Sequence, residues 1–245
     1  VGWKTVMKQQ KLVEKMTIEE KAAILSGKTV WQTREIDRLS IPSIFLSDGP
    51  HGIRKQAGAG DHLGLNASLN ATCFPTAATI ANSWNQDLGE EIGQALGEEA
   101  ASMDVNILLG PGLNIKRSPL CGRNFEYFSE DPLISGKMAS AMVRGLQSLP
   151  GGGGCIKHYA ANNQETNRNA VDSVIGQRAL REIYLEPYKI AIQESQPLSI
   201  MSSYNLINGV PTADSYDLCT DLARGEWGFE GLIMTDWNGG SSTPW

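Results

Sequence analysis

The chain has 245 residues, of which 41% are hydrophobic and 20% are charged, and these proportions are typical of one large globular domain. Its net charge of −6 argues against a nucleic-acid partner, because an acidic surface does not neutralise a phosphate backbone. No apolar run approaches membrane-spanning length and no signal peptide is visible. We therefore expect no membrane partner and a cytoplasmic protein, with secretion left as the alternative.

Helix and strand signals begin near the start of the chain. Thr17-Ile18-Glu19-Glu20 is a capping box, which predicts the first turn of a helix. A strand-like run at 44–46 leads into Ser47-Asp48-Gly49-Pro50, and residues 56–71 have the composition of a long loop. A second short apolar run, 79–81, is predicted as a strand, and residues with a helical period follow it.

Strand and helix signals alternate through the rest of the chain. Strand-like runs occur near residues 105, 155, 198 and 232, and helices are predicted between them. Asp131 is predicted to cap the helix before the run at 155, and Ser173 the helix before the run at 198. Pro187 is predicted to bend or divide that second helix, because proline lacks the amide hydrogen that a helix interior requires.

Six strand-like runs, separated mostly by helices, indicate an α/β fold with a parallel sheet. We predict a (β/α)8 TIM-like barrel, present as an incomplete barrel of about six β/α units. An open doubly wound sheet is the alternative, but the glycines at 151–154 and at 110–112 lack the pattern of a phosphate-binding loop. His51, His62 and His158 lack the spacing of a metal site, so we expect no cofactor and no metal.

Polar residues follow five of the strand-like runs. They are Asp48, Arg123 in a loop, Lys157 with His158, Tyr204, and Asp236. Because the C-terminal ends of barrel strands meet at one face, these side chains are expected to line one pocket. Their charged groups can bind the hydroxyls of a polyol, while the rings of Trp237 and Trp84 can cover the apolar face of a pyranose.

Asp236 is the candidate nucleophile, and Lys157 or Arg123 is expected to keep it ionised, since a nearby cation lowers the pKa of a carboxylate. Taken singly, these residues also have ordinary structural explanations. Asp48 can form a turn, His158 can be a hydrogen-bonded core histidine, and Asp236 can cap a helix.

Five motifs, in this order along the chain, together resemble glycoside hydrolase family 3. They are SDGPHGIR at 47–54, GRNFEYFSEDP at 122–132, KHYAANNQE at 157–165, MSSYN at 201–205 and MTDW at 234–237. The resemblance runs from about Thr17 to Trp237 and is to the N-terminal barrel domain of a β-glucosidase of that family. Five motifs in order are a much more specific signal than any one of them.

The resemblance implies that Asp236 is the nucleophile of a retaining, exo-acting β-glycosidase, with β-glucosidase as the preferred activity. Such an enzyme hydrolyses terminal non-reducing β-D-glucosyl residues of a β-glucoside or oligosaccharide through a covalent glycosyl-enzyme intermediate. The resemblance also implies a subsite for that sugar, lined by Asp48, Arg54, Arg123, Lys157, His158, Tyr204 and Trp237. It implies neither a metal nor a cofactor.

Two parts of the family pattern lie outside residues 1–245. In the β-glucosidase branch a second domain supplies the acid/base, so we expect that group from outside this chain, in cis or from another chain. The branch that acts on N-acetylglucosaminides carries an Asp/His pair in a barrel loop, but no histidine follows His158. The family's barrel also continues for two strands beyond the nucleophile.

We therefore interpret residues 1–245 as the N-terminal portion of the barrel domain, without the α/β sandwich domain that follows it. Alone, this portion is expected to be inactive or weakly active, because its acid/base and part of its barrel are missing. A non-catalytic sugar-binding fragment is the alternative.

Overall fold

The computed structural model describes residues 3–58, 60–61 and 65–239. Its strands, in chain order, are β1 (Leu46–Ser47), β2 (Ile107–Leu108), β3 (Gly153–Tyr159), β4 (Asp172–Ser173), β5 (Ser199–Ser202), β6 (Leu206–Ile207), β7 (Val210–Pro211) and β8 (Leu232–Met234). Its α-helices are α1 (Trp3–Glu14), α2 (Ile18–Ile24), α3 (Ala77–Ala81), α4 (Gln86–Ser102), α5 (Pro132–Leu146), α6 (Gln177–Ala179) and α7 (Glu186–Ser195). Two π-helical segments cover Leu180–Tyr184 and Asp217–Glu226.

The main sheet contains five parallel strands in the order β1-β2-β3-β5-β8. Its strands are apolar on both sides, as is usual when helices cover one face and the other is turned inward. One face contacts the helices through the larger core, whose strand residues include Leu108, Ile156 and Ile200. The other face encloses a smaller core of Trp31, Leu46, Ile107, Leu109, Cys155 and Met201. The α/β fold with an incomplete TIM-like barrel is thus confirmed.

Helix α5 packs closely against α4 behind this sheet. The contact is lined by glycines, among them Gly93 and Gly145, where a side chain would overlap the backbone of the facing helix. Asp131 caps α5 as predicted, because its Oδ1 accepts from the amides of Leu133 at 2.7 Å and Ile134 at 3.0 Å. The close packing fixes the two helices against the outer face of the strands.

The run at 79–81 is not a strand, so the main sheet has five strands where six were predicted. It belongs to helix α3, which buries Ala77, Ile80 and Ala81 on one side. Thr76 caps this helix by accepting from the amide of Thr79 at 3.3 Å. A short apolar run has no periodicity to separate the two possibilities, and here the cap and the spacing of buried residues decide for helix.

Predicted helix boundaries agree with the structure except at Ser173. The capping box at Thr17 is present, and helical structure is interrupted at Leu185, just before Pro187, as expected. Ser173 instead ends strand β4 of a second sheet, ordered β4-β6-β7, and α6 begins after Gly176. Its hydroxyl donates to the carbonyl oxygen of Ala161 at 3.1 Å, a long-range partner that no local pattern indicates.

Among the described residues, the barrel is open between β8 and the segment before β1. That segment pairs with the other side of β1, because the amide of Leu46 donates to the carbonyl oxygen of Trp31 at 2.8 Å. A cavity of about 600 Å³ lies along the opening, and its lining includes Leu25, Leu232, Met234 and Asp236. Within the part of the chain described, no helix is long and apolar enough to cross a membrane.

Candidate active site

Five predicted polar side chains lie at the end of the sheet where its parallel strands finish. Asp48 directly follows β1, Lys157 and His158 lie in the last part of β3, and Tyr204 and Asp236 come shortly after β5 and β8. Lys157 Nζ donates to Asp48 Oδ1 at 2.9 Å, and His158 Nε2 lies 3.9 Å from Asp236 Oδ2. The fold thus places these residues around one site, as their positions at strand ends predicted.

Asp48 and Lys157 form an ion pair within the site. Lys157 is buried, with 3% of its surface exposed, whereas the side chain of Asp48 remains 33% exposed. Burial opposes ionisation of Asp48, but the ammonium of Lys157 outweighs it and holds the pKa of Asp48 below its ordinary value. Burial likewise opposes protonation of Lys157, yet Asp48 raises the pKa of that ammonium. Both groups therefore stay charged near neutral pH.

The backbone and ring of His158 are held by buried partners. Its amide donates to Asn114 Oδ1 at 2.7 Å, and its carbonyl oxygen accepts from Asn114 Nδ2 at 2.9 Å and from the hydroxyl of Tyr188 at 2.7 Å. Its ring atom Nδ1 lies 3.2 Å from the hydroxyl of Tyr127. These contacts fix the imidazole and direct its Nε2 towards Asp236.

His158 is neutral at physiological pH. Burial, reinforced by the positive charges of Arg123 and Lys157, lowers its pKa well below the ordinary value of 6.5. The 3.9 Å approach to Asp236 is therefore not an ion pair. The site presents an uncharged ring nitrogen beside a carboxylate, which suits hydrogen bonding to a substrate hydroxyl.

Asp236 is 9% exposed, and its pKa lies above the ordinary aspartate value. Burial is the main cause, and the amide of Trp237, which donates to Asp236 Oδ1 at 2.7 Å, offsets only part of it together with Lys157. Lys157 and Arg123 do act to lower this pKa, as expected, but burial outweighs them and the net shift is upward. Lys157 pairs with Asp48 and Arg123 pairs with Glu126, so both act on Asp236 only from a distance.

Tyr204 stands beside Asp236 as a protonated donor. Its hydroxyl donates to the carbonyl oxygen of Trp237 at 2.6 Å, and the guanidinium of Arg168 lies 5.0 Å from its ring centre. Burial, and then the charge of Asp236, raise the pKa of Tyr204 well above its ordinary value. Arg168 is in turn bound by Glu165 at 2.9 Å, which steadies the cation over the ring.

The remaining predicted residues lie at the border of the site or outside it. Arg54 Nη1 is 3.5 Å from Asp48 Oδ2, on a side chain that is 45% exposed. Trp237 is partly buried, and its indole N–H donates to the carbonyl oxygen of Val30 at 3.1 Å. Trp84 is 76% exposed in the turn between α3 and α4, and no ring contact of the described residues joins it to the cluster.

Three buried residues of this region were not predicted from the sequence. Asn114 is a single polar residue between the buried Leu113 and Ile115, and that interruption is a detectable signal. Glu126 pairs with Arg123 from three positions further along, a spacing that suggests such a contact. Trp31 has no local signal, because its partners come from distant parts of the chain.

This arrangement is suited to nucleophilic chemistry on a polyhydroxylated substrate. It joins one poorly solvated carboxylate to a charged pair, a neutral imidazole and a phenol, all able to hydrogen-bond hydroxyl groups. Among the described residues there is no group of three histidine, cysteine, aspartate or glutamate side chains that could hold a metal ion, and His62 lies outside those residues.

Comparison with known proteins connects this geometry to one family. The family described as glycosyl hydrolase family 3 N terminal domain matches residues 13–242. Thermostable beta-glucosidase B of Acetivibrio thermocellus is 48% identical over 93% of the chain, and exo-alpha-(1->6)-L-arabinopyranosidase of Bifidobacterium longum is 48% identical over 92%. The chain spans only 30% of the length of each of these curated relatives.

A solved structure shows the same fold. Beta-glucosidase 3B from Thermotoga neapolitana, in complex with alpha-D-glucose, superposes with a TM-score of 0.88 and is 42% identical. The match covers 95% of this chain and 34% of that one.

Proposed function

The chain belongs to glycosyl hydrolase family 3, and on that premise we propose that it forms part of a retaining, exo-acting β-glycosidase that removes terminal β-D-glucosyl groups. One observation carries the proposal most directly. Asp236 is a buried carboxylate at the C-terminal end of β8, beside the charged pair of Asp48 and Lys157 and facing the neutral imidazole of His158. Poor solvation favours its reaction with an electrophilic carbon over its interaction with water.

In the proposed reaction the ionised carboxylate of Asp236 attacks the anomeric carbon of the terminal sugar. The bond between that carbon and the leaving-group oxygen breaks, and the oxygen takes a proton from an acid outside residues 1–245. Water then attacks the anomeric carbon and gives its proton to the same group, now a base, while the bond from that carbon to the Asp236 oxygen breaks and frees the carboxylate. Two displacements at one carbon retain the configuration of the sugar.

The neighbouring residues are proposed to hold the sugar during both steps. The carboxylate of Asp48 accepts hydrogen bonds from hydroxyl groups, while Lys157, Arg54 and Arg123 donate to them. His158 and Tyr204 complete the set, and Trp237 borders the ring. The partial exposure of Asp48 and Arg54 supports this assignment, because these groups can exchange water for hydroxyls of the substrate.

Equal identity to a beta-glucosidase and to an exo-alpha-(1->6)-L-arabinopyranosidase favours a second candidate substrate. An α-L-arabinopyranoside lacks the hydroxymethyl group of a β-D-glucoside and carries an axial rather than an equatorial hydroxyl at C4, so the two substrates differ at two positions of the sugar. Initial rates with the two matched p-nitrophenyl glycosides separate them. A kcat/KM higher for the β-glucoside supports the first proposal, and the reverse order supports the second.

The decisive experiment is covalent trapping in the natural full-length protein. An activated 2-deoxy-2-fluoro-β-glucoside reacts with the nucleophile, and the fluorine slows hydrolysis of the intermediate, so peptide mass spectrometry locates the sugar. We expect an adduct on Asp236 in the wild type and none in Asp236→Asn. Labelling of another carboxylate would overturn the assignment. Glucose binding without any labelling would instead support a non-catalytic sugar-binding fold.

A further inference from the structure

Trp31 stands before β1, outside all the motifs at strand ends, yet it contacts the residue next to Asp236. It is 8% exposed, and its ring centre lies 4.9 Å from that of Trp237 at an interplanar angle of 54°. Its indole N–H donates to Gln56 Oε1 at 2.8 Å, in a buried hydrogen bond. A large ring fixed on both sides is well suited to support its neighbour.

Trp237 is the link between Trp31 and the carboxylate. Its amide donates to Asp236 Oδ1 at 2.7 Å, and its carbonyl oxygen accepts from the hydroxyl of Tyr204 at 2.6 Å. Its indole N–H donates to the carbonyl oxygen of Val30, the residue before Trp31, at 3.1 Å. A shift of the Trp237 ring therefore moves the amide that orients one oxygen of Asp236.

Trp31 is itself held by the loop that follows the first motif. Gln56 Nε2 donates to Asp61 Oδ2 at 2.6 Å, and the amide of Asp61 donates back to Gln56 Oε1 at 2.7 Å. At Gly60 the backbone passes so close that an added Cβ would lie 2.7 Å from Trp31 Cδ1. The indole is thus contacted by this loop at Cδ1 and Nε1 and by the tilted ring of Trp237.

We propose that Trp31 is a positioning residue for Asp236, acting through Trp237. The inference rests on the proposed function of Asp236 as the nucleophile. Attack on an anomeric carbon requires the carboxylate oxygen at a defined distance and direction, and a misplacement of about 1 Å can cost roughly 100-fold in rate. The proposed sugar-binding pair of Asp48 and Lys157 does not depend on that placement, because its two groups hold each other at 2.9 Å.

The alternative is that Trp31 only fills the smaller core, which it shares with residues such as Leu46 and Met201. A core residue affects stability and all functions of the folded protein together. A positioning residue affects the covalent step separately from binding. The two roles are therefore distinguished by comparing labelling rate with glucose affinity.

The test uses Trp31→Leu and Trp31→Phe in the natural full-length protein, with the activated fluoroglucoside as probe. For Trp31→Leu we expect labelling of Asp236 to slow on the order of 10- to 100-fold. The Kd for glucose, measured by calorimetry, should change much less, because Trp237 is only one of the proposed sugar-binding residues. Trp31→Phe keeps a ring against Trp237 and should restore most of the labelling rate. Thermal melting confirms that each variant is folded at the assay temperature.

Trp227→Leu is the matched control. Trp227 is also buried, with 5% exposed, but it packs edge-on against Tyr159 in the larger core and not against Trp237. It should lower the melting temperature without slowing labelling of the folded protein. If Trp31→Leu does not fold, Gly60→Ala provides the same test by displacing the indole without removing it.

Wild-type labelling rates in both Trp31→Leu and Gly60→Ala would overturn the inference, and so would parallel losses of labelling and glucose affinity. Failure of the proposed function looks different, because the wild type itself would then not be labelled at Asp236.

Discussion

Two aspartates of the site, one after β1 and one after β8, have pKa values shifted in opposite directions. Asp48 has an ammonium 2.9 Å away, and this charge overcomes the effect of burial. Asp236 faces a neutral imidazole 3.9 Å away, so burial prevails and its pKa rises. Environments that separate the pKa values of two carboxyl groups also separate their roles. Asp48, which stays charged near neutral pH, is suited to binding, and the poorly solvated Asp236 to reaction.

Replacing Asp236 with asparagine should raise the stability of the folded chain at neutral pH. Because the folded-state pKa of Asp236 is above its unfolded value, the carboxylate destabilises the folded state once it is ionised. A neutral isostere removes that cost. Calorimetry should show a higher melting temperature for Asp236→Asn near neutral pH, with the difference shrinking as pH falls through the pKa of Asp236. A lower melting temperature near neutral pH would contradict this account.

Asp48→Asn is the matched control with the opposite sign. The folded-state pKa of Asp48 is below its unfolded value, so its contribution is fully present above the unfolded pKa and is lost as pH falls through the folded one. We expect Asp48→Asn to melt at a lower temperature than the wild type near neutral pH. That deficit should disappear in acid, where both aspartates are protonated.

At the level of elements, close helix contacts determine where the strand ends lie. Helix α5 packs against both α4 and α7, and it precedes β3, which carries Lys157 and His158. The separation of α4 and α5 is set by backbone contacts at Gly93 and Gly145, where side chains are excluded. Any change that separates these helices should therefore be transmitted to β3 and to the site.

Gly93→Ala should destabilise the protein strongly. Its new methyl would overlap the carbonyl oxygen of Met142, and backbone cannot move aside as a flexible side chain can. Overpacking of this kind costs about 1–3 kcal/mol in the free energy of unfolding, measured by urea denaturation. Gly225→Ala is the control, because its methyl would lie 3.6 Å from the nearest contact, the carbonyl oxygen of Thr220. Equal stabilities of the two variants would refute the role given to this helix contact.

At the scale of the whole molecule, the described part of the barrel is open between β8 and the segment before β1. Leu232 of β8 is 49% exposed, and Leu25 at the end of α2 is 88% exposed beside the same cavity. An apolar lining and a strand edge in this position are typical of surfaces that other parts of a protein cover. The chain spans only 30% of the length of two curated relatives that it matches.

We predict that residues 1–245 produced alone have low stability and little glycosidase activity. The proposed acid/base is outside these residues, and the apolar opening favours aggregation. The measurement is p-nitrophenyl β-glucoside turnover by this piece and by the natural full-length protein, with light scattering as a check for aggregation. Equal turnover per folded molecule would refute the prediction and would place the acid/base within residues 1–245.

Local features of the structure could be predicted from the sequence because their causes are local. The caps at Thr17 and Asp131 bind amides within three residues of themselves. The parallel arrangement follows from alternating strand and helix signals, and it predicts that polar residues at strand ends converge. These features account for the fold class and for the meeting of Asp48, Lys157 and Asp236.

Only the tertiary structure decided the rest, since the remaining features depend on residues far apart in the chain. Whether residues 79–81 form a strand or a helix depended on the burial of one side of the segment. The hydroxyl of Ser173 has its hydrogen-bond partner, the carbonyl oxygen of Ala161, on the other side of a loop. The pKa of Asp236 depends on which cations are already paired elsewhere. The contact between Trp31 and Trp237 joins residues that are far apart in the chain, and no periodicity or motif encodes such a contact.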